Sequence, residues 1–247
     1  MQPTVLTLPP PQQIVAPSRV YELADGATDS EEFRGLDRDE LAIQRILFGG
    51  LTDDQARNVV VVATLNQNEN VFPNGTTVYA LRQLFRRPLR WPLLIAGGQK
   101  LKISLTNNTG DAISVPMSIL GLDGVQVAAL HAQAGDWPQP VFLTERLDVA
   151  AGQQRRRMPI ETRAYDVILH RIWLTSNAPD DVRATFALNN SEFRQNVDES
   201  MVLAEFDPTG AAWDIRLSRR DALVLYLANN GGAAASVTVL GEAYAAQ

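Results

Sequence analysis

The chain contains no cysteine. Disulfide frameworks, thiolate nucleophiles and Cys-ligated zinc or iron–sulfur centres are therefore excluded together, while the redox compartment stays open. Histidine is almost as scarce. His131 and His170 are the only two, too few for a His-rich metal site. No serine sits in the glycine pattern of a nucleophile elbow, and no glycine loop of the phosphate-cradling kind occurs. No apolar run reaches the ~18–20 residues of a membrane span. Residues 1–17 lack the basic segment and unbroken apolar core of a secretory signal, so the chain reads as soluble. Its formal charge of −6 has the wrong sign for a protein whose main partner is a phosphate backbone.

What the chain does have is a phrase written twice in its 247 residues. Trp213 follows Trp91 by 122 positions, and behind each tryptophan the same spacing recurs without a gap. Leu101, Leu105, Asn107, Asn108, Gly110, Ala112, Ser114 and Val115 match Leu223, Leu227, Asn229, Asn230, Gly232, Ala234, Ser236 and Val237. Upstream, Arg45-Ile46 matches Arg171-Ile172 and Arg57 matches Arg183 at an offset of 126, and Arg19 matches Arg146 at 127. A slowly drifting offset over half the chain points to one domain duplicated in tandem. Each copy is long enough to bury its own core without staples.

Within each copy the apolar pattern alternates, as in strands buried on one face. Leu101, Ile103 and Leu105 are separated by Lys102 and Ser104; Leu223, Leu225 and Leu227 by Val224 and Tyr226. The turns NNTGD and NNGG lead into Ile113-Val115-Met117-Ile119 and Ala235-Val237-Val239, with Asn and Gly placed where hairpins demand positive φ. Further strands read at 19–23 and 146–149, 59–65 and 183–188, 79–85 and 201–206, and 91–95 and 213–217. Residues 41–48 pair in sequence with the β-rich stretch RAYDVILHRIWLTS and read as a strand, with a short helix expected over 30–39. The sum is about seven strands per copy. The fold class is all-β: two tandem antiparallel β-sandwiches, of jelly-roll or immunoglobulin-like type. Five prolines make residues 1–17 an extended arm. The first sandwich is placed at 18–125, a connector stiffened by Pro138 and Pro140 at 126–140, and the second sandwich at 141–247.

Side chains able to do chemistry each have a plainer reading. His170 falls opposite Gln44 in the repeat, a scaffold position open to any polar residue, and His131 lies in the connector. Asp25, Asp29, Glu31 and Glu32 lack the alternating spacing of a calcium loop and read as a solvated acidic stretch. Asp53-Asp54 and Asp180-Asp181 read as turns with local Asp–Arg contacts rather than a glycosidase pair. Arg86, Arg87 and Arg90 suit an acidic neighbour chain, and Arg155, Arg156 and Arg157 suit a guarded strand edge. Trp91 and Trp213 read as core anchors. No catalytic, cofactor-binding or metal-binding residue is assigned, and no cofactor is expected.

The order of motifs, ending in LKISLTNNTGDAISVPMSILG and LVLYLANNGGAAASVTVLG, resembles the β-sandwich virion proteins of tailed bacteriophages, the minor capsid, decoration and tail-associated kind. The resemblance implies a non-enzymatic structural component located in the virion. Its partners would be other virion proteins and copies of itself, with neither nucleic acid nor membrane as main partner. The alternative is a carbohydrate- or host-receptor-binding sandwich, for which Trp91 and Trp213 would have to be exposed. An enzyme such as a glycan hydrolase is the third and weakest reading.

Overall fold

The computed structural model describes residues 18–34, 40–66, 69–72, 76–135, 137–160, 166–189, 191–192, 201–202, 211–219, 221 and 223–246. The arm at 1–17 lies outside them. The first half carries β1 (Ser18–Leu23), β2 (Thr28–Arg34), β3 (Leu41–Phe48), β4 (Val59–Leu65), β5 (Glu69–Phe72), β6 (Leu93–Ile95), β7 (Lys100–Asn107) and β8 (Ile113–Leu122). They form two four-stranded antiparallel sheets in the orders β1-β8-β3-β6 and β2-β7-β4-β5. The second half carries β9 (Pro140–Val149), β10 (Arg156–Ile160), β11 (Val167–Ser176), β12 (Val182–Leu188), β13 (Ser191–Glu192), β14 (Met201–Val202), β15 (Ala211–Leu217), β16 (Leu223–Asn229) and β17 (Ala235–Ala245). Their sheets run β15-β11-β17-β9 and β10-β16-β12-β13, with β14 also on β12.

The strand order is the same in both halves. First with eighth, third and sixth, opposite second with seventh, fourth and fifth, is the double Greek key of a jelly roll, so the immunoglobulin-like option falls away. Eight strands, rather than about seven, are needed to close each one.

Ladder registers identify corresponding residues. Asn107 pairs with Val59 and Asn229 with Val182, so β4 and β12 correspond at an offset of 123. Arg57 and Arg183 are therefore not equivalent. The missing three residues lie in α1 (Asp53–Asn58), a helix found only in the first half and opened by a Thr52–Gln55 capping box. Asp53 and Asp54 form its acidic first turn, and Asp53 sits 3.9 Å from Arg82 rather than against Arg57. Likewise, Val20 pairs with Pro116 and Arg146 with Thr238, which places Val20, not Arg19, at the position of Arg146.

Three local devices recur at corresponding sites. Asn107 and Asn229 are wholly buried, and each donates its side-chain amide to the end of the first strand and across the following turn. The acceptors are Leu23 O and Asp111 O in one case, Val149 O and Ala233 O in the other. In the second turn no residue has positive φ, so the asparagine is there for these bonds and not for its backbone freedom. Asn66 and Asn189, just past β4 and β12, both take the left-handed conformation at φ 51°. Register shifts after Ile43 and Leu169 make Gln44 and His170 the extra residues of matching β-bulges.

Two expected elements differ. Residues 79–85, read as a strand, fall in α2 (Val78–Leu84) and its C-cap Phe85: Thr77 caps the helix through Ala80 N, and Val78, Leu81 and Leu84 bury one face at helical spacing. Residues 30–34, read as helix, belong to β2, because Phe33 pairs with Leu101 and packs inward. The stretch read as a connector holds α3 (Gly124–Ala134) with its own Asp123–Gln126 capping box.

The buried amides give a first prediction. Asn107→Ala or Asn229→Ala strands two or more backbone carbonyls and should each cost about 1–3 kcal/mol. A melt should show both variants losing several degrees, while Asn108→Ala, at the exposed neighbouring position, should leave the midpoint unchanged.

Candidate functional site, the joint between the sandwiches

A jelly-roll sheet has one face in its own core and one turned outward. In the second sandwich the outward face of β9, β17 and β11 is not solvated: Phe142, Leu240 and Trp173 are at most 2% exposed and join the core cluster of the first sandwich. They pack beneath α2 and β5. Phe72 meets Phe142 at 4.9 Å between ring centres and Phe85 edge-on at 6.2 Å. Thr76 and Thr144 hydroxyls meet at 3.3 Å. The joint is thus an apolar core shared by both halves.

Beside it lies a wholly buried carboxylate. Glu242 Oε2 accepts from Arg171 Nε at 2.7 Å, while Oε1 accepts from Arg90 N at 3.1 Å and from the Tyr244 hydroxyl. Tyr244 in turn accepts from Trp91 N at 3.2 Å, and Arg171 donates to Pro88 O at 3.2 Å. Burial first, then Glu242, pushes the Tyr244 phenol far above its ordinary value, which keeps it a donor. Beyond the contacts among themselves, the three side chains meet the backbone of residues 88–91 at Pro88 O, Arg90 N and Trp91 N. Arg45, the counterpart of Arg171, donates to the carbonyls just before that stretch, Phe85 O and Arg86 O. At the positions of Glu242 and Tyr244 the first sandwich has Leu120 and Leu122.

His170 stands at the rim. Its Nδ1 is 2.6 Å from Asp214 Oδ1, and Arg90 reaches the same oxygen at 3.1 Å. A His–carboxylate pair is one part of a hydrolytic triad, but among the described residues no serine or threonine hydroxyl is bonded to the ring. Arg90 finds its acidic partner within the chain, while Arg86 and Arg87 are exposed.

The other candidates scatter. His131 stacks on Trp137 at 4.4 Å and lies 3.6 Å from Glu40. Asp29 and Glu31 pair with Arg19, closing β1 onto β2, and the Ser30 N–H and Arg19 hold the Asp29 carboxyl below its ordinary value. At the corresponding sites the second sandwich has Glu145 and Arg156, with the charges exchanged. Arg155 lies over Tyr226 at 3.9 Å beside the edge strand β10. Asp180 and Asp181 sit in the turn before β12, whose Asp181 O accepts from Asn230 N.

Trp91 is no core anchor of its sandwich. It is half-buried in a satellite cluster of Ala42, Leu122, Val127, Leu130 and Trp137, outside the sandwich interior. Trp137, from the presumed connector, is 5% exposed and donates to Pro92 O at 3.0 Å, binding α3 to the first sandwich. The side chain of Trp213 lies outside the described residues. The aromatic anchor that sequence reasoning missed is Trp173, whose signal was a tryptophan at a solvent-side strand position where the first copy has Leu47.

No family model and no curated protein matches the chain. Among solved structures it is similar to the major capsid protein P2 from bacteriophage PM2, at 11% identity and a TM-score of 0.48, over 93% of this chain and 98% of that one.

The buried cluster yields a second prediction. Glu242→Leu leaves Arg171 unpaired and should cost about 3–5 kcal/mol, whereas Glu242→Leu combined with Arg171→Leu should recover much of it. Chemical denaturation of the two variants beside the parent checks the ordering.

Proposed function

We propose that the chain is a non-enzymatic structural component of a bacteriophage particle, assembling through contacts with copies of itself and with other virion proteins. It consists of one sandwich duplicated in tandem, at 18–125 and 141–247, joined through 126–140 and preceded by an assembly arm at 1–17.

The observation that carries this reading is a face covered in one sandwich and bare in the other. Trp173, Leu240 and Thr238 are buried at the joint, and their counterparts in the first sandwich are Leu47, Ser118 and Pro116. Leu47 is 37% exposed and Val20, opposite Pro116, is 53% exposed. Ser18 and Ser114 flank this surface, and an exposed glutamate, Glu22, borders it, accepting from the Ser114 hydroxyl at 2.8 Å. No described element of the chain lies over it. A second copy would cover it much as the first sandwich covers the second. A head-to-tail contact of that kind repeats from copy to copy and closes into a ring or runs on as a filament, the behaviour of a shell-building protein. The motif resemblance to phage virion proteins supports placing that assembly in a particle.

Sedimentation velocity tests the reading. The wild-type chain is expected to self-associate with rising concentration. Val20→Arg and Leu47→Arg should keep it monomeric with melting points nearly unchanged, since surface substitutions usually stay within ~0.5 kcal/mol. A wild-type chain that remains monomeric at every concentration, alone and with its particle partners, overturns it.

A further inference from the structure

A second unfilled surface sits on the far side of the first sandwich. Between β5, β6 and the start of β9 lies a groove of about 310 Å³, the lower end of the range that holds a ligand or a pair of side chains. Its floor is Leu65, Val71, Leu93, Val141 and Phe142, and its rim carries Asn70, Gln99 and Gln139. None of the described lining residues is charged. All three bordering strands are sheet edges. The edge of β6 is finished by amide side chains in place of a neighbouring strand: Leu94 N donates to Gln139 Oε1 at 2.9 Å, and Ala96 N to Gln99 Oε1 at 2.8 Å.

We propose that this groove receives the segment 1–17 of a second copy. That segment matches the groove in chemistry, for it too contains no charged residue, and its Val5, Leu6, Leu8, Ile14 and Val15 are apolar. In extended form Leu6 and Leu8 share a face, the spacing with which an edge groove takes alternate side chains. Reach is sufficient, since seventeen residues at about 3.1 Å each span ~50 Å. Path decides for a second copy. The segment leaves β1 at one edge of the sheet, at the level of Leu47, whereas β6 forms the opposite edge. Within one chain it would have to pass over or around α3 and Trp137, which cover the Ala42–Leu122 part of that sheet between the two edges. The inference rests on the assembly reading proposed above.

The absence of cysteine allows a direct test in the full-length chain. Leu6→Cys is paired with Leu94→Cys at the groove, and in a control with Val125→Cys, which is 81% exposed on α3. Mild oxidation should give disulfide-linked dimers and higher species with Leu94→Cys, lost on reduction and absent from the control. Adding Ala96→Glu should abolish the cross-link while leaving the melting point in place. A cross-link confined to single chains, or none from Leu6→Cys or from Leu8→Cys or Ile14→Cys in its stead, overturns the proposal. Sedimentation of the same variants separates the two ideas: self-association without the cross-link removes the groove and leaves the assembly reading, and loss of self-association by the uncrosslinked wild type removes both.

Discussion

The structure depends on one sheet face being kept out of water. Trp173, Phe142 and Leu240 stand on the side of their sheet that a lone jelly roll would present to solvent, and they are buried only because α2 and β5 of the other half lie on them. Each buried side chain of that size contributes about 1.5–3 kcal/mol, so the three together are comparable with the net stability of a small domain. Neither half has a complete core without the other. The first loses Phe142, one of the two aromatic neighbours of Phe72, and the second exposes a tryptophan whose Nε1 has no hydrogen-bond partner among the described residues even when buried.

Apolar contact alone does not fix how two curved sheets sit on one another, since it has no direction. The Arg171–Glu242–Tyr244 cluster supplies direction by matching the backbone groups of residues 88–91 one by one. A buried ion pair is a poor source of net stability, and its use lies in what it forbids. With the loop shifted by a residue, Glu242 would keep a buried charge with too few donors. The first sandwich, with Leu120 and Leu122 at those positions, makes no such demand and takes α3 and Trp137 on the neighbouring surface.

Much of the fold was legible because repetition reports on structure without needing propensities. Leu101, Leu105, Asn107 and Val115 recur in register because the closing hairpin of each jelly roll is built the same way, down to the buried amide. Alternation gave the strands but not their partners, so jelly roll and immunoglobulin-like orders stayed equivalent until the ladders were seen. The helix α2 was misread because its counterpart in sequence, at 201–206, reads as strand; its own Thr77 cap and Leu81–Leu84 spacing carried the contrary signal. The offset drifts in whole steps where α1 inserts, so the like spacing of Arg57 and Arg183 pairs two residues of which one is helical and the other is in a strand. The joint was least legible. Trp173, Glu242 and Tyr244 look like ordinary strand residues, and their meaning lies in contacts across more than 80 positions.

The two halves share a topology and differ in what their outward faces carry, and that difference decides how far association can go. Two identical faces, both apolar, would compete for the same cover, and the chain would have no reason to prefer its own half over a neighbour's. Giving one face Trp173 and a buried ionic cluster, and the other Val20, Pro116 and Leu47, separates the contacts by strength. The first is deep, specific and intramolecular, because a short covalent link between Trp137 and β9 holds the two halves together. A contact through the second, of the kind proposed above, would be shallower, so its formation would depend on protein concentration and would be reversible while subunits find their places. A strong internal joint with a weaker external one is the order that lets a subunit fold first and assemble afterwards.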